Sequence, residues 1–199
     1  MTKKLIVSSG NKHKLEEIKK ILNDLNLQIQ SKDEIGFSDF DVLEDKDTLE
    51  GNALKKAKAL WEKTGGFVIS DDTGLFVDAL DGRPGVYSAR YAGEDATYDD
   101  NCNKMLEELE NISYDKRTAQ FSTVIALIDE KGKEYTVKGT VEGYILAEKR
   151  GTNGFGYDPI FYVDDYKKTF AELTDNEKNS ISHRGRALQK LKKLLGEIL

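Results

Sequence analysis

Phe67-Val68-Ile69-Ser70-Asp71-Asp72-Thr73-Gly74-Leu75 decides how this chain is read: an apolar run breaks into two adjacent carboxylates, a hydroxyl and a glycine. β-Branched and aromatic residues suit a pleated, buried surface, so Phe67 to Ser70 reads as a buried strand. Asp71 to Gly74 then reads as the turn that ends it. Soluble α/β proteins place much of their chemistry on such connections, and adjacent acids repel unless something cationic sits between them. A divalent metal is the candidate cation.

Upstream, Leu5-Ile6-Val7 reads as a first strand and Ser8-Ser9-Gly10-Asn11 as the turn after it. From Lys14 the residues Leu15, Ile18, Leu22 and Leu25 recur at helical spacing, giving a strand, turn, helix opening. A short strand follows near 27–29, then an unassigned stretch around 40–44. A second helix is expected from about Thr48 to Lys63, stopped by Gly65-Gly66. Downstream of the acidic segment, the loop 82–91 leads to Thr97, which can cap a third helix, with Asp99 and Asp100 placed well against its dipole. Residues 118–145 are rich in strand formers, and Glu130-Lys131-Gly132-Lys133 in their middle predicts a hairpin turn within a β meander. A final helix is expected near Ser182, burying Ala187, Leu188, Leu191, Leu194, Leu195 and Ile198.

Strands alternating with helices early and paired strands late predict an α/β fold with a mixed sheet flanked by helices. At 199 residues, with no repeat and no linker rich in Pro, Gly or Ser, the chain fits one domain, in which two lobes are possible. Hydrophobic residues make up 38% and charged residues 33%, a globular composition. The longest apolar run, Val124 to Ile128, is too short to span a bilayer, and the N-terminus lacks a signal-peptide core, so no membrane partner is expected. A single cysteine, Cys102, forms no intrachain disulfide, which makes the cytoplasm the default location. The net charge of −6 argues against a nucleic-acid polymer as partner, although a triphosphate needs only a few cations converging at one place.

Four constellations could carry chemistry. The turn Ser8 to Lys14 precedes a helix, where free N–H groups and the dipole favour an anion; on its own it reads first as an ordinary N-cap with surface lysines. Glu44, Asp71 and Asp72 are hard-oxygen candidates for Mg²⁺, which takes one or two carboxylates plus substrate phosphates. Glu44 alone reads as part of a solvated acidic loop. Gly154-Phe155-Gly156-Tyr157-Asp158-Pro159 could hold a flat base by close backbone approach, stacking and an edge acceptor, or its aromatics could simply pack into the core. His183 and Arg184 stand at a helix start, against the dipole, and make more sense with an anion or an electron-rich base edge nearby; a merely solvated basic first turn is the other reading. With two histidines and one cysteine, a dedicated zinc site is disfavoured.

Taken together, these segments resemble the inosine triphosphate pyrophosphatase family, the Ham1-like or RdgB-like noncanonical purine nucleoside triphosphate pyrophosphatases. The matching pieces run in order: 9–14, 50–57, 70–75, 82–91, 154–161 and 182–185. The resemblance implies hydrolysis of inosine, deoxyinosine and xanthosine triphosphates to the monophosphate and pyrophosphate with Mg²⁺. It further implies a fold of two lobes around a central cleft, and a homodimer. By motif, Lys14, Lys56 and Lys178 would contact the phosphates, with Ser9, Gly10 and Asn11 in the first turn. Glu44 and Asp72 would hold the metal, with Asp72 also the general base, and Thr73 would belong to the substrate turn. Phe155, Gly156, Tyr157, Asp158, His183 and Arg184 would surround the purine. Arg184 is the candidate donor to the 6-oxo group, which would reject adenine. Thr73 stands where many members have serine, and Glu44 is assigned only by its distance from Asn52 and Lys56. A Maf-like pyrophosphatase of modified pyrimidine nucleotides and a non-catalytic nucleotide binder are the competing readings. The segments 155–159 and 182–185 argue against the first, and the full set of acids and lysines against the second.

Overall fold

The computed structural model describes residues 2–199. The chain opens as expected, with β1 (Lys3–Val7), α1 (Lys12–Ile21) and β2 (Leu27–Ser31). Asn11 caps α1 by accepting from the Lys14 N–H, and β1 and β2 lie parallel with Leu5 opposite Ile29. Leu25 falls beyond the end of α1 and is only partly buried against the core. Next comes α2 (Leu49–Thr64), capped by Thr48 and ended at Gly65, whose φ of 60° is open to glycine and strained for other residues.

β3 (Phe67–Val77) corrects the expectation of a turn at the acids. The strand does not stop at Ser70 but continues through Asp71 and Asp72 to Val77. β4 (Pro84–Gly85) pairs with its distal half, Leu75 opposite Gly85. Gly74 permits that approach, since a Cβ there would lie 2.6 Å from the Gly85 carbonyl oxygen. Successive strand side chains point to opposite faces, so the pleat turns the two acids apart.

The remaining elements are α3 (Tyr98–Glu108), β5 (Thr118–Ile128), β6 (Glu134–Ile145), β7 (Phe161–Val163), β8 (Lys168–Thr169), α4 (Asp175–Ile181) and α5 (His183–Ile198). Thr97 and Asp100 form a reciprocal capping box on α3, and the turn between β5 and β6 closes through the Asp129 N–H to the Lys133 carbonyl. α4 is an element that the apolar spacing did not predict. Its signal was local: Thr174 and Glu177 form a capping box. The eight strands make one mixed sheet in the order β2-β1-β3-β5-β6-β7-β8, with β4 attached to β3.

Two compact units divide the chain. The first comprises the chain up to Asp72, Thr123–Gly139 and Arg184–Leu199; the second comprises Thr73–Ser122 and Thr140–His183. In the first, Leu5, Val7, Ile18, Leu22, Phe67 and Ile69 pack with Leu188, Leu191 and Leu195 of α5. In the second, Leu75, Met105, Phe121, Ile145, Tyr157, Phe161 and Phe170 form the core. Each fully buried side chain of this size is worth about 1.5–3 kcal/mol, so these clusters hold the elements that carry the polar residues in place. Among the described residues, no helix is long and apolar enough to cross a membrane.

Candidate active site

Within the first unit, the end of β1 and the start of α1 border a cavity of about 170 Å³ lined by Ser8, Ser9, Gly10, Lys14, Glu44, Lys56 and Asp71 among others. The turn is built locally: the Ser9 hydroxyl accepts from the Asn11 N–H at 3.2 Å, and Asn11 Oδ1 accepts from the Lys14 N–H at 3.2 Å. Asn11 is therefore the N-cap that one of the two sequence readings described. The same turn also lines the cavity, so capping and lining coexist.

Strand alternation sends Asp71 and Asp72 to different partners. Asp71 Oδ2 lies 3.0 Å from Lys14 Nζ and 3.3 Å from Arg184 Nε, while Arg184 Nη1 lies 2.7 Å from Glu17 Oε2. Burial would raise the Asp71 carboxyl, but Lys14, Arg184 and Lys56 outweigh it and hold the group well below the ordinary carboxylate range. Lys14, in turn, is lowered by burial, with Arg184 and Lys56 adding repulsion that Asp71 only partly offsets. Arg184 at the start of α5 thus does meet anions, and they are internal. Glu17 was not foreseen; its spacing of three from Lys14, one helical turn on, was the available signal.

Asp72 faces α2. Its Oδ2 accepts from Asn52 Nδ2 at 3.2 Å and its Oδ1 lies 3.4 Å from Lys56 Nζ, which also lies 2.5 Å from Glu44 Oε1 and donates to the Asp71 carbonyl at 2.9 Å. Burial, with Glu44 adding to it and Lys56 opposing it, raises the Asp72 carboxyl. Burial lowers the Lys56 ammonium, but Asp72 and Glu44 outweigh it and the net direction is up. The loop carrying Glu44 is held against α2, with Lys55 Nζ donating to the Leu43 carbonyl and to Asp45 Oδ1, both at 2.8 Å.

Ion pairs thus join Glu17, Glu44, Asp71 and Asp72 to Lys14, Lys56 and Arg184. Two carboxylates already share one cation, at Lys56, which is the charge environment that suits a divalent ion bound by hard oxygens. Among the described residues, no group of three or more Asp, Glu, His or Cys could form a closed protein cage for a metal. A set of two carboxylates fits Mg²⁺, which keeps waters and takes its other oxygens from phosphates.

The second unit gathers most of the residues expected around a purine. Asp158 Oδ2 accepts from the Phe155 N–H at 2.8 Å and from Lys178 Nζ at 2.7 Å, in a buried pair. Lys178 Nζ sits 4.7 Å from the centre of the half-buried Phe155 ring. Within the second unit Lys178 therefore pairs with Asp158 and Phe155. Gly154 is required where it stands: its φ is +76°, and a Cβ would come 2.0 Å from Asp158 Oδ2. The Gly156 carbonyl accepts from Cys102 Sγ at 3.3 Å, and Tyr157 is buried with its hydroxyl donating to the Ser88 carbonyl at 2.8 Å. Tyr157 thus takes the core reading, whereas Phe155 stays partly accessible. His183 stacks on Phe121, with ring centroids 4.5 Å apart and planes at 17°. Thr73 follows Asp72 in β3 and is half-buried. A larger cavity in this unit, about 490 Å³, is lined by Asp78, Glu142, Asp164 and Asp165 with no lysine or arginine, and would repel a triphosphate.

Comparison with known proteins identifies what the whole chain is similar to. The Ham1 family model matches residues 5–194. A protein of Thermoanaerobacter sp. strain X514 named dITP/XTP pyrophosphatase is 54% identical over 189 residues, covering 95% of this chain and 94% of that protein. A dITP/XTP pyrophosphatase of Clostridium perfringens strain 13 is 50% identical over 203 residues, covering 99% of both. The solved structure of the Staphylococcus aureus Ham1 protein superposes with a TM-score of 0.88 at 41% identity, covering 99% of this chain and 100% of that one.

Proposed function

The chain belongs to the Ham1 family, and from that premise we infer that it hydrolyses noncanonical purine nucleoside triphosphates, those of inosine, deoxyinosine and xanthosine, to the monophosphate and pyrophosphate. The observation that carries this reading is the convergence of Lys14, Lys56 and Glu44 on the cavity beside the turn between β1 and α1, with Asp72 attached to it through Lys56. Lysines and helix-start N–H groups suit a polyphosphate, and the carboxylates suit the metal that accompanies one.

In the proposed mechanism Ser9, Gly10, Asn11, Lys14 and Lys56 receive the triphosphate, and Glu44 and Asp72 hold Mg²⁺. When bound, Mg²⁺ neutralises phosphate charge and withdraws electron density from phosphorus. Asp72 accepts a proton from the water that attacks the α-phosphorus, and pyrophosphate leaves. Lys14 and Lys56 stabilise charge that builds on the phosphoryl oxygens. Asp71 is assigned to holding Lys14 and Arg184 in place rather than to the chemistry.

Phe155, Gly156, Tyr157, Asp158, His183 and Arg184 are assigned to the purine, with Thr73 in the substrate segment. Lys178, first expected at the phosphates, is read as the counter-ion that fixes Asp158 at the base side. Arg184 is held by Glu17 and Asp71, so its guanidinium is a pre-oriented donor for a 6-oxo group. We read the two units as lobes of one domain, the chain as a homodimer, and its location as the cytoplasm, where its nucleotide substrates are. Release of pyrophosphate from inosine triphosphate, dependent on Mg²⁺ and abolished by a chelator, tests the reading. Release of single phosphate, or of nothing, would overturn it.

A further inference from the structure

We propose that Asn52 is a positioning residue for the divalent metal: one buried carboxamide clasps the two segments that carry Glu44 and Asp72, and so sets the separation of these carboxylates. The proposal rests on the reading of Glu44 and Asp72 as the metal's ligands.

Asn52 lies on the face of α2 that buries Leu49, Ala53, Ala57 and Leu60, and is itself 1% exposed. A polar side chain among apolar neighbours must have its donors and acceptors matched. Asn52 Oδ1 accepts from the Lys46 backbone N–H at 3.0 Å, and Asn52 Nδ2 donates to Asp72 Oδ2 at 3.2 Å. The amide cannot be turned round, because the N–H of Lys46 can only donate and an ionised carboxylate can only accept. Lys46 stands two residues beyond Glu44. One side chain therefore spans from the loop of the first ligand to the carboxylate of the second.

The close approach of that loop is built in at the preceding residue. A Cβ at Gly51 would come 2.9 Å from Lys46 Cβ, so the loop lies nearer to α2 than a side chain there would allow. The other ties are of a different kind. Lys55 holds Leu43 and Asp45 from an exposed position, where solvent weakens the contact. Lys56, one helical turn beyond Asn52, touches both carboxylates but is also assigned to the phosphates. Asn52 is neutral and buried, and neither substrate nor metal requires it to let go. Groups that orient ligands in this way typically change metal affinity by about 10- to 100-fold when removed.

The test is calorimetric titration of the full chain with Mn²⁺ in the absence of nucleotide. Asn52→Ala is expected to weaken Mn²⁺ binding by about 10- to 100-fold while metal-free inosine triphosphate still binds as in wild type. Lys46→Pro removes the backbone donor at an exposed position, together with the lysine side chain and the freedom of φ, so it leaves the core intact should the Asn52 variant fail to fold; beside Lys46→Ala, which keeps the donor and should bind Mn²⁺ as wild type does, it is expected to weaken binding by roughly tenfold. Glu44→Gln and Asp72→Asn serve as controls for the ligand assignment. If both controls lose Mn²⁺ but Asn52→Ala or Lys46→Pro binds it as wild type does, the clasp is overturned. Equal loss of metal-free nucleotide in Asn52→Ala would mean general damage to the site and would also overturn it. If Glu44→Gln and Asp72→Asn bind Mn²⁺ normally, the metal-site reading itself is wrong.

Discussion

Arg184 Nε lies 3.3 Å from Asp71 Oδ2, joining the first turn of the last helix to the middle of β3 across 113 positions of chain. With Lys14 on the same carboxylate oxygen and Glu17 on Arg184 Nη1, the four side chains form a buried alternation of charge linking α1, β3 and α5. Removing one member leaves a buried charge without its counter-ion, a far larger cost than losing a surface pair.

Acid should therefore weaken the fold through Asp71. Its folded-state pKa is depressed, so between the folded value and the unfolded value near ~3.9 the unfolded chain binds more protons and stability rises with pH. The contribution is complete above the ordinary carboxylate range and is lost as pH falls below about 4. Asp71→Asn should be less stable than wild type at neutral pH by about 3–5 kcal/mol and lose less on acidification. Denaturant melts at several pH values measure both; parallel curves for the two proteins would contradict the assignment.

Asp72→Asn should separate binding from turnover. Losing a general base costs about 10²- to 10⁴-fold in rate, while the lysines that meet the phosphates remain. Stopped assays of pyrophosphate release, set beside nucleotide binding, read the two quantities apart. Near wild-type turnover would remove Asp72 from the chemistry.

Gly154→Ala puts a methyl group on Asp158 and forces a left-handed backbone on alanine. Strain of about 1–3 kcal/mol is expected, displacing the acid assigned to the purine edge. The Michaelis constant for inosine triphosphate should rise several-fold with a smaller change in kcat. An unchanged constant would show that the loop does not touch the base.

Arg184→Lys keeps a cation beside Glu17 and Asp71 but removes the planar fork of donors. A site that loses a matched donor loses discrimination, so the preference for inosine over adenosine triphosphate should fall by about tenfold or more. Competition between the two nucleotides measures it. A variant as selective as wild type would show that another group reads the base.

Much of this molecule was legible in its residues. Caps at Asn11, Thr48 and Thr97, the stop at Gly65 and the hairpin turn before β6 act over a few residues, so local spacing was enough to place the elements around them. The ordered motifs were enough to indicate the family. α4 was equally local, through Thr174 and Glu177, but its short apolar pattern concealed it.

What the sequence could determine by itself was which residue types the chain offers for phosphate, metal and base, and the strands and helices that carry them. Only the tertiary structure decided which charge meets which. Asp71 and Asp72 look like one acidic unit, yet the pleat turns the first toward Lys14 and Arg184 and the second toward Asn52 and Lys56. Nor does the sequence show that Lys178 is paired with Asp158, 20 positions away. The reason is physical: caps and turns are contacts between near neighbours in the chain, whereas the partner of a buried charge is whichever opposite charge packing brings within about 4 Å, however distant in sequence.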